Sequence, residues 1–511
     1  MAVMCLLTPI QLRDKKIKDL QAQLSNEKEA RREDKEVISM LQRTIASNEL
    51  KINGQKKAIL SQAEHISALE DKIAVLEGRL KKDSSNSSKP PSSDGFKKPR
   101  TFSTREKSGR KPGGQKGHIG RTIRVDAEEK KVINRKEGVC PCCSGIIEFG
   151  EQYQSKSIVD IRVTLIVTEE HAYSGKCREC GKPFQAEFSS KFTAPVKYGD
   201  NISALIAMCN EYGNVPDKKT AEIVSSLCGD RIRVSPGTVV NIRTALAGNL
   251  DSEVKKIRQE LTQSGVLNVD ETGIRVGGKL NWVNIFSNDQ YTLFEHSLKR
   301  GSHCCDKEGV LAFFIGILVH DHFKAYYKNK AATHAECNEH ILRYLKAVIE
   351  IQGHPWAKRM TEFLLAAIKL KDEHISSGKK ALTLEEFEEQ ERQYIAILDE
   401  GYMEYQAAIE GKTNIRQFHE ERRLLARLRE YKNEHLRFLS DFKAPFGNHA
   451  AEQGAHFMKN KTRVTGGFRS RQGADNHMKI ASVIASAKKQ DKNLYSMIKD
   501  SLNGKPLFDS C

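Results

Sequence analysis

The sequence predicts a multidomain α+β protein, and three observations predict it. A seven-residue apolar repeat runs through residues 13–82. Two Cys-x-x-Cys pairs stand between residues 136 and 195. A strand-rich stretch at 262–325 gives way to a charged, Leu-rich helical pattern at 334–440. The 511 residues allow three or four domains at roughly 100–200 residues each. With 39% hydrophobic and 29% charged residues, a fully disordered chain is excluded. Lys and Arg number 83 against 66 Asp and Glu, a net charge of +17, which suits a polyanion: nucleic acid or an anionic membrane surface. No run approaches the ~20 apolar residues that span a bilayer. MAVMCLLTPIQLRDKK has no basic region ahead of its apolar residues and no cleavage site, so no secretory leader is expected and the expected setting is intracellular. The 12 cysteines are not spaced like a secreted disulfide framework.

In the first segment Ile17, Leu24, Ile38, Ile45, Ile52, Ile59, Ile66, Ile73 and Leu80 share one register, broken at Arg31. The companion register holds Leu20, Leu41, Leu69 and Leu76, but also Glu27, Asp34, Asn48, Gln55 and Gln62. Ile at a and Leu at d favour a parallel two-stranded coiled coil, so a homodimer or higher oligomer is expected, with polar d positions that weaken it. The alternative is a long helix folded back on its own domain.

Residues 83–125 are rich in Ser, Pro, Gly, Lys and Arg and cannot bury enough apolar area to order themselves. From Lys81 to Arg124 thirteen Lys/Arg face three Asp/Glu, a surplus of ten positive charges. Two readings stand: a solvated linker, or a basic arm along a phosphate backbone, with Lys111, Lys116 and Arg121 among its contacts. The Gly113-Gly114 pair is no phosphate-binding loop, because no strand precedes it and no Lys-Ser/Thr follows, and no nucleotide cofactor is expected.

Residues 126–197 read as a zinc ribbon. Cys140 and Cys143 form one knuckle and Cys177 and Cys180 the other, with 33 partly strand-like residues between them. Two thiolate pairs at this spacing close a tetrahedral structural Zn2+ site; Cys142 is the spare, and redox chemistry is the alternative. Residues 198–260 read as a helical DNA-binding domain. Lys219–Leu227 and Ser235–Ala247 are amphipathic, and Ser235-Pro236 makes an N-cap and first-turn pair. They form either a helix-turn-helix with Thr238, Asn241 and Arg243 outward, or a plain packing unit.

Residues 262–333 hold three strands, joined first by a Gly277-Gly278 hairpin, and then an apolar run ending at His320-Asp321. Residues 334–440 are helical. Residues 441–500 run from a cap at Asn448 through a Gly-rich basic turn into a last helix, and 501–511 are a tail. Asp270 and Asp321 both stand at strand ends. If the strands are neighbours, the two carboxylates share one space and repel unless a divalent cation neutralises them. Mg2+ or Mn2+ held there would activate a water or hydroxyl toward a phosphodiester, and Glu452, one turn past Asn448, is the candidate third ligand. The competing reading makes these acids turn caps or salt-bridge partners. Glu271 points to the opposite face by strand alternation.

Lys459, Lys461, Arg463, Arg469 and Arg471 are candidate phosphate contacts around the glycine turn. Cys337 and His340, with His334 upstream, read as helix packing in preference to a metal site. His320 and His322 read as structural supports of Asp321, and Trp282 as core.

With those residues in view, the chain resembles transposases of the insertion sequence 66 family. The motifs that carry the resemblance are collinear: SSNSSKPPSSD, GRKPGGQKGHIGRT, the Cys140/Cys143 knuckle, VDETG, GILVHDHFKAYY, CNEHILRYL and NHAAEQGAHFMKNKTRVTGGFRS. The resemblance implies an RNase H-like α/β catalytic core with a large helical insertion and an Asp-Asp-Glu triad at Asp270, Asp321 and Glu452. It implies Mg2+-dependent nicking and strand transfer at the terminal inverted repeats of an insertion sequence. Implied partners are double-stranded DNA, both element ends and target, and helper proteins of the same element. The implied location is the bacterial cytoplasm, on the nucleoid when DNA-bound, with no membrane role. One departure stands out: the family often carries Arg directly after the Glu, where this chain has Gln453. The alternative function is a catalytically defective copy that regulates the element ends by binding them.

Overall fold

The computed structural model describes residues 9–83, 85–87, 130–412 and 415–508. The basic stretch with Lys111, Lys116 and Arg121 lies outside the described residues. Among those described, no helix is long and apolar enough to cross a membrane.

The heptad segment is one helix, α1 (Pro9–Leu80), of 72 residues. Its repeat residues Leu24, Ile38, Ile45, Ile52, Ile59, Ile66 and Ile73 are all exposed, so the helix does not fold back on a domain of its own chain. Its C-terminal end is tied to the insertion. Lys82 pairs with Glu420, Asn86 Nδ2 donates to Glu350 Oε2 at 2.7 Å, and Lys346 Nζ donates to Ser85 Oγ at 2.6 Å.

Each Cys pair closes the same turn. Cys140 N donates to Gly145 O and Ser144 N to Cys140 O; Cys177 N donates to Lys182 O and Gly181 N to Cys177 O. The residue after each second cysteine has positive φ, 53° at Ser144 and 72° at Gly181. A short hairpin, β1 (Ser174–Lys176) and β2 (Pro183–Gln185), brackets the second knuckle. The strand-like residues 151–173 form no regular element, and Ile158, Ile161, Ile166 and Val167 are exposed. Among the described residues no strand pairs with them.

Four helices lead into the core: α2 (Asp200–Ala207), continued by a π-helical turn at Met208–Tyr212, then α3 (Asp217–Leu227), α4 (Pro236–Asn249) and α5 (Asp251–Thr262). The expected Ser235 cap is present, its Oγ accepting from Thr238 N at 3.1 Å. The five-stranded sheet then forms from β3 (Val266–Val276), β4 (Lys279–Ser287) and β5 (Thr292–Ser297), and, after the short α6 (Val310–Phe313), from β6 (Ile317–His320) and β7 (Thr333–Glu336). Its order is β5-β4-β3-β6-β7, with β3–β5 antiparallel and β6 and β7 parallel to β3. Gly277 and Gly278, at φ 56° and 77°, make the two-residue loop whose twist suits a hairpin.

β7 corrects the expected boundary at 333, because residues 334–336 are strand. THAE is too polar and short to announce a strand; its edge position in the sheet makes it one. The helical insertion follows as α7 (Asn338–Ile351), α8 (Pro355–Ser376), α9 (Leu384–Ile409), α10 (His419–Glu430) and α11 (Lys432–Ser440), packed around fully buried Trp356 and Tyr394. The chain returns to the sheet in α12 (His449–Thr465) and α13 (Arg471–Lys489) and ends in α14 (Leu494–Leu502). The expected tail is not loose through Phe508: Met497, Ile498 and Phe508 are buried in the same cluster as Leu246, Leu267 and Phe286.

That cluster joins α4 and α5 to the sheet, so residues 198–260 pack directly on the core. A buried charge network reinforces the joint. Glu211 is fully buried and meets His477 Nδ1 of α13 at 2.5 Å and Arg243 Nε of α4 at 3.5 Å. Lys461 Nζ of α12 donates to Asn210 O at 2.8 Å. Two expectations are thereby corrected. Arg243 faces inward, held by Glu211 and by Asp217 at 3.7 Å. Lys461 is buried at 3% exposure and cannot reach DNA. Burial works against an ionised Glu211, but His477, Lys461 and Arg243 outweigh it and hold its carboxyl at about 2. A folded-state value below the ordinary 4.5 contributes stability above that pH and loses it as pH falls toward 2. Glu211→Gln leaves half-buried Arg243 and buried Lys461 without their counter-charge and is expected to cost about 3–5 kcal/mol at pH 7. Urea unfolding followed by circular dichroism measures it; a loss under about 1 kcal/mol would mean the network is not holding the joint.

Candidate active site

Two strands and one helix build the site. β3 pairs in parallel with β6, Asn268 opposite Val319, and carrying that register two residues further puts Asp270 opposite Asp321. Adjacent strands lie about 4.8 Å apart, so Asp270 and Asp321 stand beside each other where β6 ends. The expectation that Asp270 ends its strand is corrected: β3 runs on to Val276, because its pairing with β4 continues past Asp270. Asp270 shares the sheet face that α12 covers, its cross-strand neighbour being Ile285.

The N-terminus of α12 is fixed to β3 beside Asp270. Asn448 stands at the expected cap position, but its side chain makes no cap. Instead Asn268 Nδ2 donates to Asn448 Oδ1 at 2.9 Å, and Asn448 Nδ2 donates to Val269 O at 2.8 Å. The amide is worth more across this buried gap than at a helix end that faces water. Gly454 lets α12 sit low on the sheet: a Cβ there would stand 2.8 Å from Ile285 Cγ2. Gln453 and His456 are exposed.

Asp270 Oδ1 accepts from Glu271 N at 2.7 Å, and Asp321 Oδ1 from Phe323 N at 3.0 Å. Burial first, then the charges of Asp321 and Glu452, push Asp270 up to about 7, with Lys459 working the other way. Burial also raises Asp321, against the cations Arg300 and Arg427. The pair therefore carries negative charge that the protein does not fully compensate, which suits a hard divalent cation. Glu452 is near enough for its charge to be felt at Asp270, yet the three carboxylates do not all lie within 4.8 Å of one another. Its Oε1 lies 3.6 Å from Arg343 Nη2 and 3.7 Å from His340 Nδ1.

The neighbouring acids are compensated. Glu271 faces the other side of the sheet, where Gly301 N donates to it at 2.7 Å and Arg300 Nε at 3.1 Å. Trp282, expected in the core, is half-buried under that Arg300, 5.2 Å from ring centroid to guanidinium. Glu336, at the end of β7, accepts from His322 and Tyr327, each at 2.5 Å, and from Arg427 Nε at 2.8 Å. His320 is buried and bonded to the Asp321 carbonyl and, at 2.9 Å, to His334; burial pushes it down to about 4. Both histidines flanking Asp321 thus brace the chain around it, and His334 belongs with His320, not with Cys337.

Cys337, His340 and Glu452 come together: their ligand atoms all lie within 4.8 Å of one another. The expected preference for plain packing at Cys337 and His340 overlooked this, because the approach of α12 joins residues more than 110 positions apart in sequence. The C-x-x-H spacing was the available signal. Burial and then Glu452 push the Cys337 thiol up to about 12, and burial with Arg343 and Arg427 pushes His340 down to about 3.

The other expected sites differ in outcome. No three of Cys140, Cys143, Cys177 and Cys180 lie within 4.8 Å of one another; each knuckle is formed, but the two are not brought together. Lys459 is half-buried, and Arg463, Arg469 and Arg471 are exposed. The glycine turn that carries them is pinned, since Phe468 N donates to Arg275 O and Gly277 N to Phe468 O, both at 2.8 Å. Gly467, at φ 119°, lies so close that a Cβ would stand 2.6 Å from Arg275 O.

With its folded value near 7 against an ordinary 3.8, Asp270 imposes a stability cost that is absent below about pH 4, grows toward pH 7 and is full above it. Asp270→Asn removes that charge. In buffer free of divalent cations the variant is expected to be more stable than wild type by roughly 1–3 kcal/mol at pH 8, and by less at pH 5. Thermal denaturation at both pH values decides it; a variant no more stable than wild type at pH 8 would mean the pair is not electrostatically strained.

A family model described as Transposase IS66 family matches residues 196–476. A second, described as a family of unknown function (DUF6444), matches residues 26–124. No curated protein matches the chain.

Proposed function

The chain belongs to the IS66 transposase family, and on that premise we propose that it nicks and joins DNA at the terminal inverted repeats of an insertion sequence, using Asp270, Asp321 and Glu452. The observation that carries this reading is the β3–β6 register, which sets Asp270 against Asp321 where α12 delivers Glu452. The sheet order, three antiparallel strands followed by two parallel ones, supports an RNase H-like core.

Asp270 and Asp321, with Glu452, would hold Mg2+ or Mn2+, which supplies Lewis-acid activation of a water or 3′-hydroxyl and stabilises the leaving oxygen. The chain's own contribution is placement. The Asn268–Asn448 tie fixes the helix that carries Glu452. His320 and the Glu336–Arg427 pair brace the loop of Asp321. Lys459, Arg463, Arg469 and Arg471 offer cations to the DNA backbone beside the site. The basic stretch with Lys111, Lys116 and Arg121 adds affinity through counterion release. The two Cys knuckles read as one structural Zn2+ ribbon that closes around the metal, which supplies the cross-link their separate turns lack. The exposed heptad of α1 reads as a parallel dimer seam.

Strand nicking and strand transfer on oligonucleotides carrying the element's ends test the assignment. Asp270→Asn, Asp321→Asn and Glu452→Gln are each expected to lose roughly a hundredfold or more in rate while keeping DNA affinity. Wild-type binding with no cleavage in Mg2+ or Mn2+ would favour instead a defective copy acting as a regulator, the reading to which Gln453 points. Sedimentation velocity tests the seam: the full chain should run as a dimer and Ile38→Glu/Ile45→Glu as a monomer. A monomeric wild type would refute it.

A further inference from the structure

The thiol of Cys337, the imidazole of His340 and the carboxylate of Glu452 form a compact donor set apart from the aspartate pair. Cys337 holds the N-cap position of α7 and His340 lies in its first turn, so both meet the start of α12. Their ligand atoms and those of Glu452 all lie within 4.8 Å of one another. His340 Nδ1 and Glu452 Oε1 are 3.7 Å apart, close to the roughly 3.4 Å between two ligand atoms on a tetrahedral metal with ~2.1 Å bonds. Both atoms are buried, and neither has a hydrogen-bond partner. Buried polar atoms are rarely left so, and two converging on one point call for a ligand. The neighbouring set of Glu339, His449 and Glu452 lacks that feature, because His449 Nε2 already meets Glu339 Oε1 at 2.7 Å.

We propose that Cys337, His340 and Glu452 bind Zn2+, and that zinc bound there draws Glu452 away from the aspartate pair and so inhibits Mg2+-dependent chemistry. The donor set selects the metal. A thiolate with an imidazole suits zinc and binds magnesium poorly, whereas the aspartates suit magnesium. On binding, a Zn–S bond forms as the thiol S–H bond breaks, and the proton leaves to solvent. Arg343, which now shares Glu452 Oε1, gives way to the metal. The inhibitory half rests on the reading of Glu452 as a ligand of the catalytic metal; the binding half does not.

The full-length chain is stripped of metal, titrated with Zn2+ and, in parallel, with Co2+, whose thiolate charge-transfer absorption reports sulfur ligation. Compared with wild type, Cys337→Ser is expected to take up one fewer tightly bound metal per chain and to lose the corresponding part of the thiolate band. Cys177→Ser, in a knuckle, should leave the Cys337 share intact. His340→Gln is a second, partly exposed position that guards against misfolding of the buried variant, and should weaken the same site at least tenfold. Equal uptake and equal absorption in wild type, Cys337→Ser and His340→Gln would overturn the site. Nicking in Mg2+ with added Zn2+ tests the consequence, each protein scored against its own zinc-free rate. Inhibition of wild type relieved at least tenfold in Cys337→Ser is expected; equal inhibition of both would overturn the withdrawal of Glu452. If wild type nicks no DNA under any condition, the functional reading fails while the metal count still decides the site.

Discussion

The paired amides of Asn268 and Asn448 are the contact on which the arrangement of this molecule turns. After β7 the chain leaves the sheet, builds five helices and must return in the right place for α12 to matter. The return is set by a few buried polar bonds. Asn448 bridges to Asn268 and Val269, Asn338 N donates to Phe446 O, and Asn338 Nδ2 donates to His435 O. Such bonds are modest in net worth but costly to leave half-made, about 1–3 kcal/mol for each buried group stranded. They therefore specify position more than they add stability. The insertion can then be large, with its own core around Trp356, without blurring where Glu452 arrives.

The acids of the core divide into two kinds. Glu211, Glu271 and Glu336 are buried and answered by Arg243, Arg300 and Arg427. Asp270 and Asp321 are half-buried, and both carboxyls are raised: burial raises each, the charge of Asp321 adds to the rise at Asp270, and Arg300 and Arg427 only partly offset it at Asp321. A chain with a surplus of 17 positive charges had cations to spare for them. Leaving the pair short of compensation concentrates strain where a ligand could relieve it.

Much of this was legible in the sequence, for stated reasons. Strand alternation in 266–297, the Gly277-Gly278 turn and the Ser235-Pro236 cap are local signals whose elements are present, and the heptad segment is one helix; the strand-like residues 151–173 form no strand. The apolar run before Asp321 announced a strand end and the structure has one, whereas β3 continues past Asp270 because β4 pairs with it as far as Val276; the β3–β6 register then sets the two aspartates side by side. What was not legible depended on tertiary partners. Lys461 and Arg243 look like surface cations until Glu211 is seen beneath them. THAE becomes a strand because β6 offers an edge. Asn448 looks like a cap until β3 lies across from it. The approach of Glu452 to Cys337 and His340 is visible only once α7 and α12 share a corner.

The great length of α1 has a consequence for where two copies of the core would sit. At 1.5 Å per residue its 72 residues make a rod of about 110 Å, anchored to the insertion near Lys82. Zipped in parallel, two such rods would hold both aspartate pairs at the same end, within reach of one another. Zipped head to tail, they would hold them a rod's length apart, roughly the span of thirty base pairs. The direction in which two copies of α1 pair would thus act as a ruler: parallel pairing would gather two DNA-bound cores into one place, and the opposite direction would keep them from meeting.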